Sequence, residues 1–323
     1  MKVASLFAGI GGICTGFKQA GFEVTWANEK DRAACNTYRH NFGDKWLHEG
    51  DVRKIVTSAV PDFDILTAGF PCQPFSVAGA QRGFSDPRGN LFFEITRVID
   101  AKRPRVIFLE NVSNLVEHDN GRTFLVIYNS LVQFGYIIKY KVMPAHEYGN
   151  LPQPRSRIFI VAFLNINDCD NFLFPEPMQL TIGINDIVDR NEKKHDIYYY
   201  ASDSRILVRH GKEINDTRYI YRISDKEKLI RVKNYMCPTL TAFMEKQDKA
   251  PLILDNFGVR KLTLKECLAF QGFPKDFYFP KSVTINDAYK QIGNSVCVPV
   301  IRRIAEQIKT ALQEGRHDGQ ANY

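Results

Sequence analysis

The sequence lacks several things. None of its seven cysteines (Cys14, Cys35, Cys72, Cys169, Cys237, Cys267 and Cys297) lies within four residues of another. That spacing excludes a disulfide framework and a zinc-ligand cluster, and no metal site is expected. Scattered cysteines fit a reducing cytoplasm. No run of about eighteen apolar residues is present, so no transmembrane helix and no membrane partner are expected. The glycine-rich start, with a single positive charge, runs straight into a helical pattern and does not read as a signal peptide. No internal repeat is visible. The charge is not one-sided either: 43 Lys and Arg against 36 Asp and Glu leave +7, which allows a polyanionic partner without establishing one.

What the chain does have is length and alternation. Its 323 residues suggest about two domains. Apolar runs at 3–7, 24–27, 65–68, 106–109 and 158–163 read as strands, and amphipathic stretches at 12–20, 31–41, 91–101 and 124–134 read as helices. Strands alternating with helices predict an α/β, doubly wound sheet. In such sheets ligands bind at the carboxyl ends of the strands, which singles out residues 7–12, Glu29, Asp51, 69–72 and Glu110. The alternation stops near Asp168 and returns at 298–312. The expected division is therefore 1–172 with 285–323 as one domain, and 173–284 as a smaller, mostly β and irregular one. Within the latter, residues 200–235 carry nine basic and five acidic groups interleaved with Tyr199, Tyr200, Tyr219 and Tyr221. That pattern suits a nucleic-acid surface, although a solvated face would look the same.

Four local patterns carry chemistry. Phe7-Ala8-Gly9-Ile10-Gly11-Gly12 follows a strand and opens a helix, where glycines admit a ligand to the backbone and the helix start favours an anionic group. Glu29, ending the next strand, suits ribose hydroxyls; Cys14 stands where a dinucleotide fingerprint needs glycine, so a nucleoside cofactor without pyrophosphate fits better. Cys72, held between Pro71 and Pro74 at a strand end, is a nucleophile candidate once it becomes a thiolate. Glu110 ends a further strand and points into the same crevice. By the period of two, Gln153, Arg155 and Arg157 share one side of an extended segment, where they can grip phosphate, clamp a carboxylate or lie at the surface.

In order along the chain, these blocks resemble the bacterial DNA (cytosine-5)-methyltransferase family of type II restriction-modification systems. The resemblance rests on Phe7-x-Gly9-x-Gly11-Gly12, the Pro71-Cys72 pair, Arg88-Gly89-x-Leu91-Phe92-Phe93, Glu110-Asn111-Val112 and Gln153-x-Arg155-x-Arg157. Arg260-x-Leu262-Thr263-x-x-Glu266-Cys267, Gln271-Gly272-Phe273-Pro274 and Gln291-x-Gly293-Asn294-Ser295-Val296 complete it. The blocks span nearly the whole chain except about 170–255.

The resemblance implies a Rossmann-like fold and a sequence-specific enzyme on double-stranded DNA. It would use S-adenosyl-L-methionine, leave S-adenosyl-L-homocysteine, act as a monomer and protect host DNA beside a restriction endonuclease. Cys72 would attack carbon 6 of a flipped-out cytosine, with Glu110 holding the ring, Arg155 the base carbonyl, and Arg157 in the same catalytic set. The cofactor residues implied are Phe7, Gly9, Gly11, Gly12, Glu29, Asp51, Val52, Pro71, Leu91, Asn294 and Ser295. Lys30 departs from relatives that carry tryptophan there, which removes a stacking surface. Gln73, Ser76, Arg88, Gln153 and Thr239 are implied at DNA, the loop 73–90 is expected to act as a lid, and 173–284 to include the target-recognition region. A related branch methylates tRNA, but its Cys-Phe-Thr signature is absent from this chain.

Overall fold

The computed structural model describes residues 1–71, 91–246 and 248–317. They fall into two compact units, one within residues 1–143, 156–176 and 300–317, the other within 144–155 and 177–299. The fold is mixed α/β, with a seven-stranded sheet in the first unit and a separate four-stranded antiparallel sheet in the second.

The first sheet is built from β1 (Lys2–Leu6), β2 (Glu23–Glu29), β3 (Leu47–Glu49), β4 (Ile65–Gly69), β5 (Val106–Val112), β6 (Ile137–Pro144) and β7 (Ser156–Phe163). Their order is β3-β2-β1-β4-β5-β7-β6. Strands β3, β2, β1, β4 and β5 are parallel, and β7 runs antiparallel to β5. Ile65, Leu66, Val106 to Leu109 and Ile158 to Phe163 are all buried, as expected for strands covered on both faces. Helix α1 (Gly12–Gln19) follows β1, and α2 (Arg32–Phe42) follows β2; α3 (Leu91–Lys102) precedes β5 and α4 (Arg122–Gln133) follows it. Ile95, Val98 and Ile99 of α3 pack with Leu66, Ile107, Leu109 and Ile160 in one core.

Chain order reverses between β1 and β4, because β1 leads outward to β2 and β3 while β4 leads the other way to β5. That is the topological switch point, where a crevice opens beyond the carboxyl ends of the strands. Strands β3 and β6 have no counterpart among the expected elements. Strand β3 has three residues, two of them exposed, and β6 is half-buried along most of its length, so neither shows a strong apolar pattern.

In the second unit, β8 (Ile220–Ile223), β9 (Leu229–Arg231), β10 (Leu252–Asp255) and β11 (Gly258–Lys261) pair in the order β11-β10-β8-β9. Ile206, Ile214, Tyr221, Leu252 and Val259 form its core. Arg260, fully buried, bonds Asp255 at 2.6 Å and both oxygens of Glu266 at 2.8 Å. Glu266 also closes a capping box with Thr263 at the start of α5 (Leu264–Phe270). The Arg260-to-Glu266 block is thus a fold device: a buried charge must be paired, and this one pins a strand to a helix.

This unit extends beyond the expected 173–284. Helix α6 (Ile285–Asn294) belongs to it because residues 241 and 242 cross directly over Gly293. A β-carbon on Gly293 would lie 2.1 Å from the Thr241 carbonyl carbon. Residues 144–155 also belong to it, since Pro152 and Gln153 bond to the backbone of Cys237 and Leu240. The last helix, α7 (Val298–His317), begins there and continues in the first unit.

Candidate active site

The first half of the site is the turn after β1. Phe7 takes a left-handed backbone (φ 54°), as do Gly9 (φ 55°) and Gly11 (φ 86°). For phenylalanine that conformation is strained, on the order of 1–2 kcal/mol, and such strain gathers at ligand sites. Gly11 is required twice over, since a β-carbon there would lie 2.3 Å from the Phe42 ring. Gly9 differs, because a β-carbon on it would meet nothing within 4 Å. The turn feeds Gly12 and α1, whose N-terminus carries no side-chain cap. Open space over a glycine beside uncapped N–H groups is what an anionic ligand head requires.

Glu29 closes this turn from β2. Its Oε2 accepts the Gly9 N–H at 2.9 Å, and Oε1 accepts those of Lys30 (2.7 Å) and Asp31 (2.8 Å). Asn28 holds the neighbouring strand end in place, donating from Nδ2 to the His48 and Gly50 carbonyls at 3.0 and 2.9 Å. Asp51 follows, accepting from the Arg53 N–H at 3.0 Å and Nε at 2.9 Å; the Arg53 guanidinium beside it holds its carboxyl well below the usual carboxylate range. Val52 is buried in the sheet core, against which Phe7 and Leu91 also pack.

The second half lies at the ends of β4 and β5. Gly69 pairs with Glu110 across these strands. A side chain on Gly69 would crowd Glu110 Oε2 at 3.3 Å, so glycine leaves room for the carboxylate. Arg157 lies opposite Val112 in the β5–β7 register, diagonal to Glu110, and its Nε reaches Glu110 Oε1 at 3.1 Å. Asn111, pointing to the other face, donates from Nδ2 to the Phe70 carbonyl at 2.9 Å and fixes the chain leading to the exposed Pro71. Cys72 is the next residue and lies outside the described residues, as do Gln73, Ser76, Arg88 and the loop 73–90.

The family described as C-5 cytosine-specific DNA methylase matches residues 1–310. The chain belongs to this family. The type II methyltransferase M.Bsp6I of Bacillus sp. (strain RFL6) is 50% identical over 315 residues, covering 95% of this chain and 98% of that protein. M.NlaX of Neisseria lactamica is 42% identical over 315 residues, covering 96% and 97%. In fold, a crystal structure of a Spodoptera frugiperda DNMT2 variant superposes with a TM-score of 0.73 at 20% identity, covering 96% of this chain and 99% of that one. The protein is thus a DNA (cytosine-5-)-methyltransferase; DNA is its substrate, and enzymes of this family use S-adenosylmethionine. Among the described residues no helix is long and apolar enough to cross a membrane.

Two residues of the expected set in this methyltransferase are engaged by backbone groups. Gln153, expected at DNA, is fully buried, with Nε2 bonded to the Phe270 carbonyl (2.9 Å) and Oε1 accepting the Leu240 N–H (3.0 Å). Arg155, expected at the base carbonyl, is 2% exposed and donates to the Leu240 carbonyl (2.7 Å), the Gly293 carbonyl (3.1 Å) and the Ser295 carbonyl. The shared stripe fails because the chain passes from the second unit into the first between residues 155 and 156. Arg157, in β7, pairs with Glu110. Of the remaining expected residues, Asn294 is exposed at the end of α6, Ser295 caps that helix, and Thr239 is half-buried beside Leu240. Asn111, Asn28 and Arg53 had no expected role, although an asparagine inside a strand is itself a signal, since strands are depleted of it. The six described cysteines are all buried. Burial pushes the thiols of Cys14, Cys35, Cys169, Cys237 and Cys267 up, away from nucleophilic use.

Proposed function

We propose that this methyltransferase acts through Cys72 on a cytosine flipped out of duplex DNA, with Glu110 and Arg157 as its base-holding pair. The observation that carries the reading is the Glu110–Arg157 ion pair beside Gly69, at the end of β4, three positions before Cys72 in the sequence.

Carbon 5 of cytosine is a poor nucleophile. Attack of the Cys72 thiolate on carbon 6 forms a C–S bond and moves electron density to carbon 5 and ring nitrogen 3. Glu110, carrying a proton, donates it to nitrogen 3 as that density arrives and accepts from the exocyclic amine, while Arg157 donates to the base carbonyl. S-adenosylmethionine supplies, when bound, the electrophilic methyl group that carbon 5 needs. Loss of the carbon 5 proton then restores the double bond and expels Cys72 as thiolate. Neither carbon can be approached face-on in a stacked helix, so the nucleotide must leave the stack.

The fit of the cofactor rests on the open face of Gly9, the uncapped start of α1 and the Glu29 carboxylate. Phe7, Gly11 and Gly12 would hold its amino-acid end, Glu29 the ribose, and Asp51 with Val52 the adenine, with Pro71 and Leu91 completing the pocket. The unit of 177–299 would supply target recognition, with Thr239 and, from the large domain, Gln73, Ser76 and Arg88 at DNA. In the cell the enzyme would work as a cytoplasmic monomer that protects host DNA from a partner restriction endonuclease.

The test offers labelled S-adenosylmethionine with duplex DNA and, separately, with tRNA. Label on duplex cytosines at carbon 5, blocked at one short sequence by prior methylation, is expected. Label on tRNA alone would overturn the reading.

A further inference from the structure

The turn before β8 in the second sheet holds a braced arginine. Residues 215–219 form a turn leading into β8, and the buried hydroxyl of Tyr221 anchors it at both ends of one residue. That hydroxyl accepts the Asp216 N–H at 3.0 Å and donates to the Asp216 carbonyl at 3.2 Å. Asp216 in turn accepts the Arg218 N–H at 2.9 Å, its Nε at 3.0 Å and its Nη2 at 2.8 Å. The carboxylate is 16% exposed and the guanidinium 68%. Tyr219 stacks on Tyr235, ring centroids 4.9 Å apart, and Arg231 lies 4.8 Å from the Tyr219 ring. Tyr235 sits with a left-handed backbone (φ 50°) while 49% exposed, a strained pose for an aromatic residue at a surface.

We propose that Arg218 reads a guanine in the recognition sequence, oriented for that contact by Asp216 and flanked by the Tyr219–Tyr235 stack. This rests on the second unit being the target-recognition region. Asp216 occupies the Nε–Nη2 edge of the guanidinium, and the adjacent Nη1–Nη2 end keeps the parallel donors that match O6 and N7 of guanine in the major groove. The carboxylate also decides between reading a base and gripping a phosphate. A carboxylate beside the guanidinium cancels most of its charge and repels phosphate, so it weakens a backbone contact. The same carboxylate fixes the rotamer and lowers the ordering cost of a bidentate base contact. Tyr221 carries that constraint from the core to the surface.

The experiment methylates a library of randomised duplexes with the full-length enzyme and sequences the modified cytosines. It compares wild type with Arg218→Ala, Arg218→Lys and Asp216→Asn. Both Arg218 variants should lose preference at one G·C pair by about 5- to 150-fold while other positions are read as before. Lysine should not rescue, because it is a point charge without the bidentate fork. Asp216→Asn should relax the same position partially. An unchanged profile would overturn the proposal, as would a uniform fall across all sequences that lysine restores, the mark of a phosphate contact. A wild-type enzyme that labels no duplex would overturn the proposed function itself, and a wild type that works while Arg218 variants read normally would overturn only this inference.

Discussion

Arg157 and Glu110 form an ion pair at 3.1 Å across neighbouring antiparallel strands, the arginine diagonal to the carboxylate. The pair is mostly buried, so its charges act at low dielectric, where orientation matters more than at a surface. Glu110→Gln should lower kcat by about 100- to 10,000-fold while the enzyme stays folded. Arg157→Ala should move kcat the same way, and the double variant should lose less than the two single losses together. Steady-state methylation of one duplex substrate checks all three.

Arg155, two residues earlier, should behave oppositely. Removing it leaves three buried carbonyls without their donor, and each such loss costs about 1–3 kcal/mol. Arg155→Ala should therefore lower unfolding free energy by roughly 2–5 kcal/mol in urea denaturation. Full stability with kcat lost would return Arg155 to the chemistry.

The two glycines of the β1 turn should separate binding from folding. Gly11→Ala drives a methyl into the Phe42 ring and should destabilise the protein by about 1–3 kcal/mol. Gly9→Ala has open space around it and carries only the backbone strain of its φ of 55°, about 1–2 kcal/mol, so it should destabilise less than Gly11→Ala while weakening S-adenosylmethionine binding. Calorimetric titration and thermal melting of both variants make the comparison.

The thiols provide a pH test. The Cys35 thiol is pushed up to about 12 from an ordinary 9.0, by burial first and then by the charges of Glu49 and Glu29. The folded state holds this proton more tightly than the unfolded state does. The stability involved is full below pH 9 and drains as pH rises toward 12. Thermal melts between pH 8 and 11 should fall more steeply for wild type than for Cys35→Ala. At pH 8 an alkylating reagent should modify Cys72 and spare the six buried cysteines, which peptide mapping would read.

Much of the fold was legible because continuous apolar runs bounded by glycine and charge mark buried parallel strands. The carboxyl-end rule then located the Phe7 turn, Glu29 and Glu110 before any resemblance entered. What escaped has physical reasons. Strand β3 is too short and exposed to show a pattern, and β6 is half-buried without clean alternation. The period-two argument put Gln153, Arg155 and Arg157 together, but periodicity assumes one continuous strand. Here Gln153 and Arg155 are consumed by backbone groups of the second unit, and only Arg157 lies in β7. Gly293 was legible only as one position of the Gln291-to-Val296 motif, whereas its hydrogen atom is what lets Thr241 cross α6.

The central claim is a covalent bond between Cys72 and carbon 6 of the target cytosine. A duplex carrying 5-fluorocytosine at the methylated position tests it, because carbon 5 then holds no proton to lose and the adduct cannot resolve. Wild-type enzyme with S-adenosylmethionine should give a denaturation-stable protein–DNA complex whose intact mass is enzyme plus duplex strand plus one methyl group, mapped to Cys72. Cys72→Ala should give none. No complex with the wild type, or a complex that survives in Cys72→Ala, would contradict the account.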